Sequence, residues 1–223
     1  IYNHIQSAIT SHKKLFAVLI DPDKCVDKNL THFIALAQQA QPDFIFIGGS
    51  LTNQSTDKTI ENIKKSCTIP VVLFPGSASQ FSPKADALLF LSLISGRNPD
   101  FLIGQHVVSA PFIKKSGIET ISTGYMLIES GSTTSVEYMS NTRAIPRQKT
   151  GIAVATAIAG ELLGNKLIYL EAGSGATQPV PTQIIEAVKQ HITVPLIVGG
   201  GLRTTHDIEQ ALQAGADIIV VGN

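Results

Sequence analysis

Short apolar runs rich in Val, Ile and Phe recur along the chain, and between them apolar residues return every three or four positions. The runs are Leu15–Ile20, Phe44–Ile47, Val71–Phe74, Leu88–Leu91, part of Thr120–Leu127, Leu167–Leu170, Leu196–Val198 and Ile218–Val221. Most are continuously apolar rather than alternating, as strands covered on both faces of a parallel sheet must be. The intervening segments predict crossover helices. Leu30, Phe33, Ile34 and Ala37 share one face, as do Ile60 with Ile63, Ile184 and Ile185 with Val188, and Ile208 with Ala211 and Leu212. The Ala-rich stretch Gly151–Leu163 predicts another helix, and Val107–Lys115 a weaker one because it contains Pro111. Strands alternating with helices in this number predict an α/β fold, a (β/α)8 TIM barrel, rather than an open doubly wound sheet.

A weak internal repeat supports the barrel. Pro42-Asp43-Phe44, Ala85-Asp86-Ala87 and Ala216-Asp217-Ile218 share a small-Asp-apolar start to a strand, and Ile69-Pro70-Val71 shares a Pro start with Val194-Pro195-Leu196. Proline at the first position of a strand removes no ladder hydrogen bond. No Pro/Gly/Ser-rich linker or block of charge divides the sequence, so residues 1–223 read as one domain. The last strand runs directly into Gly222-Asn223, and a helix covering it is expected beyond the given residues. The first residues, Ile1-Tyr2-Asn3, lack an initiator Met, so the natural start is expected upstream.

Composition narrows the functional classes. Apolar residues make up 43% and charged residues 15% of 223 positions, which excludes disorder and a coiled coil. Seventeen Lys plus Arg balance seventeen Asp plus Glu. No whole-molecule field therefore exists to hold a nucleic-acid backbone or an anionic membrane, and any bound anion must be held locally. Cys25 and Cys67 are too few for a disulfide scaffold or a four-cysteine zinc site and suit reduced, half-buried thiols in a cytoplasmic protein. No apolar run approaches the roughly 20 residues of a bilayer span, and no basic leader precedes an apolar stretch at the N-terminus. The histidines show no HExxH spacing, and Gly173-Ser174-Gly175 does not satisfy the G-x-S-x-G elbow of a serine hydrolase.

In a barrel of this kind chemistry sits where the strands end. Three glycine-rich exits stand out: Glu171-Ala172-Gly173-Ser174-Gly175, Gly199-Gly200-Gly201 and Gly222-Asn223. Glycine lets backbone N–H groups approach an anion, and a following helix N-terminus would add a favourable dipole, so the exits suit a phosphate. Tight turns explain any one cluster equally well; three at adjacent strand ends favour the phosphate. The first strand leaves through Asp21-Pro22-Asp23-Lys24 and the second through Gly48-Gly49-Ser50. A carboxylate beside a hydroxyl is a partial Mg²⁺ site whose other ligands come from water and substrate phosphates, although Asp-Pro-Asp alone also fits turn and cap chemistry. Glu171 directly follows an apolar strand and points near the barrel mouth, where a carboxylate either takes a proton from a substrate hydroxyl or makes a structural ion pair.

These residues give the chain a resemblance to the geranylgeranylglyceryl phosphate synthase family over nearly its whole length. The motifs that carry it are Leu19-Ile20-Asp21-Pro22-Asp23-Lys24, Ile47-Gly48-Gly49-Ser50, Ser122-Thr123-Gly124-Tyr125, Ile145-Pro146-Arg147, Tyr169-Leu170-Glu171-Ala172-Gly173-Ser174-Gly175 and Val198-Gly199-Gly200-Gly201. The resemblance implies a barrel that joins sn-glycerol 1-phosphate to C1 of a polyprenyl diphosphate, geranylgeranyl diphosphate in the first instance, with Mg²⁺ as cofactor. It places the metal on Asp21 and Ser50, and the glycerol phosphate on Tyr169, Leu170, Glu171, Ala172, Gly173, Ser174, Gly175, Gly200, Gly201, Gly222 and Asn223. Glu171 and Asp21 become the catalytic pair. Ala87, Leu88, Phe90, Leu91 and Leu93 are candidates for the wall of a groove for the tail. Leu19 stands where part of the family has a Lys, so the backbone glycines must carry more of the phosphate binding. Leu19 and the aromatic Tyr138 together resemble the subgroup that assembles beyond dimers, which implies a homo-oligomer touching membranes at most peripherally. The competing readings are another phosphate-binding barrel, such as an isomerase or lyase of tryptophan or histidine biosynthesis acting on a soluble sugar-phosphate-like substrate, and a non-catalytic phosphate or lipid carrier.

Overall fold

The computed structural model describes residues 1–25 and 28–222. Each predicted run forms a strand, the first two with the expected bounds, the third one residue shorter and the rest longer: β1 (Leu15–Ile20), β2 (Phe44–Ile47), β3 (Val71–Leu73), β4 (Ala87–Leu93), β5 (Glu119–Leu127), β6 (Leu167–Glu171), β7 (Leu196–Gly199) and β8 (Ile218–Gly222). All pair parallel and in order, and β8 returns to β1 to close the barrel. Among the described residues, α1 (Tyr2–Thr10) precedes the barrel. Around and above it lie α2 (Lys28–Ala40), α3 (Thr56–Ser66), α4 (Gln105–Ser116), α5 (Ser135–Ser140), α6 (Thr150–Leu162), α7 (Thr182–Lys189) and α8 (Thr205–Gln213). Pro111 lies inside α4, which follows a π-helical turn over Asp100–Gly104 and stops at Gly117 in the left-handed region.

Side chains alternate across each strand, so one set fills the barrel and the other faces the helices. The inner set includes Leu15, Phe44, Val72, Leu89, Ile121, Leu167, Ile197 and Ile218, all buried. Its axis carries a column of rings: Phe44 lies 6.3 Å from Phe46, Phe46 lies 6.3 Å from Phe74, and Phe74 lies 5.2 Å from Tyr169. Helix α1 closes the lower mouth, burying Ile5 and Ala8 in the same cluster and setting the His4 ring edge-on to Phe44. Two burying positions and no side-chain cap left this helix without a clear periodic signal in the sequence. Strand β5 extends through polar Thr120, Ser122 and Thr123 because α6 packs closely on it: a Cβ on Gly124 or on Gly160 would meet the Cδ1 atoms of Ile94 and Ile168 within 3.0 Å.

The sequence repeat has a physical basis at the lower rim. Asp43, Asp86 and Asp217 each accept a backbone N–H from the preceding strand, Phe16 at 2.9 Å, Val71 at 2.8 Å and Leu196 at 2.9 Å. Each also pairs with a lysine: Lys13 at 2.9 Å, Lys64 at 2.6 Å and Lys189 at 2.6 Å. Before β6 the equivalent residue is Lys166, whose N–H donates to Ser122 O at 2.8 Å as the aspartate N–H groups do to Phe16, Val71 and Leu196 O, but whose side chain offers no acceptor. One departure shapes the upper rim. Between β3 and β4 the described chain forms only a single 3-10 turn, Ala78–Gln80, where a ring helix would lie.

Asp217 is the most buried of the three rim carboxylates. Removing Asp217 leaves the buried Leu196 N–H without its carboxylate acceptor, while Lys14 and Lys189 can turn to water, so Asp217→Ala is expected to destabilise by about 2 to 3 kcal/mol, and the more exposed Asp86→Ala by about 1 kcal/mol. Urea unfolding of the two variants reads the difference; equal losses would contradict the burial argument.

Candidate active site

The upper mouth of the barrel opens into one cavity of about 890 Å³ that touches every strand exit singled out above. Its floor is the top of the ring column. Tyr125 on β5 is in register with Tyr169 on β6, and their rings meet edge to face with centroids 5.3 Å apart. Above them sits Glu171, 4% exposed. Burial pushes its carboxyl up to about 7, against the lowering effect of hydrogen bonds from the Gly173 N–H, at 2.6 Å, and from the neighbouring Tyr169 side. Burial and the Glu171 charge together push both tyrosines well above the usual phenol range. The Tyr169 hydroxyl is buried without a hydrogen bond of good geometry among the described residues. Its polar neighbour is the Glu171 carboxylate, which it helps to hold in the charged form against burial.

Glycines make this crowding possible. A Cβ on Gly199 would lie 2.3 Å from the Tyr169 hydroxyl, and one on Gly200 would lie 2.2 Å from Glu171 Oε1 and 2.6 Å from the Gly173 nitrogen. Gly200 also has φ of +80°, so both its space and its backbone conformation exclude other residues. Gly173, Ser174, Gly175, Gly200, Gly201 and Gly222 all line the cavity with Tyr169 and Glu171. Leu170 and Ala172 do not. The period of two turns their side chains toward the helices, and the Ala172 N–H is spent on Gly199 O, so along the strand only Tyr169 and Glu171 reach the wall, before the loop from Gly173 joins it. Asn223 lies outside the described residues. The helix dipole expected behind Gly201 is already answered: α8 begins with a capping box in which Asp207 accepts from Arg203 N–H and Thr204 N–H. Arg203 supplies a cation instead. It lines the cavity, and its guanidinium donates to Ala176 O at 2.9 Å.

On the opposite wall Asp21 leaves β1 and Gly48-Gly49-Ser50 leaves β2, and all four line the cavity. A Cβ on Gly49 would lie 3.3 Å from Asp21 Oδ1, so the carboxylate rests on the β2 exit. Its Oδ1 accepts from Asp23 N–H at 3.1 Å, and Lys24 Nζ stands 3.7 Å from Oδ2. The second aspartate of the motif serves structure: Asp23 accepts from the Asn53 and Gln54 N–H groups, which tie the two exit loops together and lower its carboxyl. Among the described residues no three His, Cys, Asp or Glu side chains cluster as a metal cage. One carboxylate and one hydroxyl are a partial hard-oxygen set that fits Mg²⁺, which retains waters and takes substrate phosphates.

From Asp21 the cavity continues over β4. Leu88 and Phe90 on its outer side and Leu89, Leu91 and Leu93 on its inner side line it, together with Phe81, Ser109 and Ile113. Ala87, also expected there, is fully buried and lies below it. The groove runs between β4 and α4 because the 3-10 turn leaves the ring open beside β3.

Comparison with known proteins agrees with this geometry. The PcrB family pattern matches residues 7–223. The chain belongs to the PcrB family. Curated relatives include the geranylgeranylglyceryl phosphate synthases of Chitinophaga pinensis, 52% identical over all of this chain and 89% of the relative, and of Flavobacterium johnsoniae, 50% identical over all of this chain and 92% of the relative. The crystal structure of (S)-3-O-geranylgeranylglyceryl phosphate synthase from Thermoplasma acidophilum in complex with sn-glycerol-1-phosphate superposes with a TM-score of 0.94 at 34% identity, covering all of this chain and 90% of that one. Within this PcrB-family barrel, reading the sequence for strand exits missed Tyr125 and Arg203. Tyr125 sits in the quoted Ser122-Thr123-Gly124-Tyr125 motif, and its register opposite Tyr169 marks it as a cavity residue.

The buried carboxyl has a consequence for stability. The folded chain keeps the Glu171 proton up to about pH 7, whereas the unfolded chain releases it near 4.5. The native state binds the extra proton between those values, so this group's contribution falls as pH rises from 4.5 to 7. Glu171→Gln, neutral throughout, is expected to gain on the wild type across that window, reaching about 3 kcal/mol above pH 7. Urea unfolding at pH 5 and pH 8 measures it; a pH-independent difference would contradict the burial of an ionising group.

Proposed function

We propose that the chain forms the ether bond between the free hydroxyl of sn-glycerol 1-phosphate and C1 of a geranylgeranyl-type polyprenyl diphosphate, releasing diphosphate. The observation that carries this reading is a single cavity joining three unlike environments: a glycine-lined wall beside Glu171, a hard-oxygen wall at Asp21 and Ser50, and an apolar groove along β4. The named activity of the curated relatives and the glycerol phosphate held by the Thermoplasma acidophilum enzyme support it. An isomerase or lyase of soluble sugar phosphates has no use for the groove.

The residues divide the work. Backbone N–H groups around Gly175, Gly200 and Gly201, with the Arg203 guanidinium, hold the phosphomonoester without a lysine at Leu19, while the Gly173 N–H stays on Glu171. Tyr169 steadies the Glu171 carboxylate from below. Glu171 accepts the proton of the attacking hydroxyl, and a carboxyl poised at about 7 is matched to that task near neutral pH. The rings of Phe74, Tyr125 and Tyr169 keep water from beneath the reacting centre. Mg²⁺ at Asp21 and Ser50 would neutralise charge on the departing diphosphate. The groove wall holds the tail so that C1 lies in line with the hydroxyl, and positioning of this kind supplies several kcal/mol of a barrier.

The same reading extends to assembly. Tyr138 on α5 is 79% exposed, and Val107, Val108 and Phe112 on α4 also face solvent, apolar side chains suited to contact with a second copy of the chain. Light scattering on the purified protein is expected to return a multiple of the chain mass; the mass of one chain would contradict self-association.

Incubation with both substrates and Mg²⁺, followed by lipid extraction, is expected to yield the prenylglyceryl phosphate. Asp21→Asn is expected to lower turnover at least a hundredfold, about 3 kcal/mol in the barrier, with unchanged thermal unfolding. Binding of both substrates without product would favour a carrier, and full turnover by Asp21→Asn would remove the metal assignment.

A further inference from the structure

Gln80 ends the 3-10 turn that stands in for the missing ring helix, and it is 4% exposed although it has a full amide to satisfy. Its Nε2 donates to Gly49 O at 2.7 Å, and its Oε1 accepts from Gly76 N–H at 3.0 Å. The two partners fix the amide orientation, because a carbonyl only accepts and a peptide N–H only donates. One buried side chain thus binds the β2 exit to the β3 exit. The turn is itself anchored to α4, since Ala78 N–H donates to Gln105 Oε1 at 3.0 Å. The Gly49 carbonyl has little freedom: a Cβ on Gly76 would lie 2.3 Å from its oxygen.

A trans peptide points its C=O and N–H in opposite directions. Gly49 and Ser50 line the cavity and Gln80 does not, so a carbonyl held toward Gln80 turns the Ser50 N–H toward the cavity. Neither that N–H nor the Ser50 hydroxyl has a hydrogen-bond partner among the described residues. With the peptide turned over, the carbonyl oxygen would face the same space and repel an anion.

We propose that Gln80 is a positioning residue: it locks the Gly49–Ser50 peptide so that the Ser50 N–H donates to an oxygen of the substrate diphosphate beside Asp21. The assignment rests on the prenyltransferase reading of the same cavity and adds to it the means by which the β2 exit is kept receptive to an anion. Gln105 extends the link to the wall of the groove.

Gln80→Glu keeps the size and the acceptor for Gly76 but removes the donor to Gly49. Calorimetry with inorganic diphosphate and Mg²⁺ is expected to show binding at least about tenfold weaker than wild type, the scale of one lost hydrogen bond to a charged ligand. KM for the prenyl diphosphate is expected to rise by a similar factor, while affinity for sn-glycerol 1-phosphate stays within about twofold, as the single-bond argument requires. Gln80→Met, which removes the donor to Gly49 and the acceptor for Gly76 without adding charge, carries the same test if the glutamate variant does not fold. Unchanged diphosphate binding in an active enzyme overturns the role of Gln80 alone, and equal weakening of both ligands reduces it to general support of the fold. A wild-type chain that yields no ether product overturns the prenyltransferase reading and this proposal with it.

Discussion

The site depends on a carboxylate held where water is scarce. Glu171 stands on the rings of Tyr125 and Tyr169, and the strand beside it can come close only because Gly199 and Gly200 have no side chains. Any Cβ there would push β7 off β6 at the level of the carboxyl. The same approach brings backbone N–H groups of the β6 and β7 exits together, so the crowding that raises the carboxyl also builds an anion-binding wall in a chain of zero net charge. Chemistry that needs a proton acceptor next to a phosphate finds both in one structural device.

Across the mouth the constraint is reversed. The β1 and β2 exits are stitched by Asp23 and the β2 and β3 exits by Gln80, which leaves Asp21, Ser50 and their surroundings as oxygen and N–H groups in the cavity. Replacement of a ring helix by one turn opens the barrel wall beside this polar corner, and Leu88, Phe90 and Ile113 line the gap with apolar surface. A molecule with a charged head and a long apolar tail matches that sequence of environments. A compact sugar phosphate does not.

Much of this was legible in the residues because a parallel barrel concentrates function at strand ends, and strand ends are where apolar runs stop. Asp21, Ser50, Glu171 and the glycine clusters all follow such runs. Period two was needed to separate Tyr169 and Glu171 from Leu170 and Ala172, and a continuously apolar strand hides that phase. Tyr125 was obscured because β5 tolerates Thr120, Ser122 and Thr123 where α6 packs against Gly124. Gln80 and the open ring were hidden for a different reason: the segment after Phe74 holds Pro75, Gly76 and Pro83, whose punctuation reads as a loop without saying what the loop replaces. Helix α1, with two buried positions, owes its place to the barrel floor rather than to its own pattern.

The central claim is that two anion sites and one apolar groove meet in a single cavity, and co-crystallisation with sn-glycerol 1-phosphate, Mg²⁺ and a non-reactive thiolo analogue of geranylgeranyl diphosphate addresses it most directly. The account predicts the phosphomonoester on the N–H groups of Gly175, Gly200 and Gly201, the diphosphate between Asp21 and Ser50, and the tail between β4 and α4. A phosphate bound away from the glycine wall, or a tail leaving the cavity by a route that avoids β4, would contradict it.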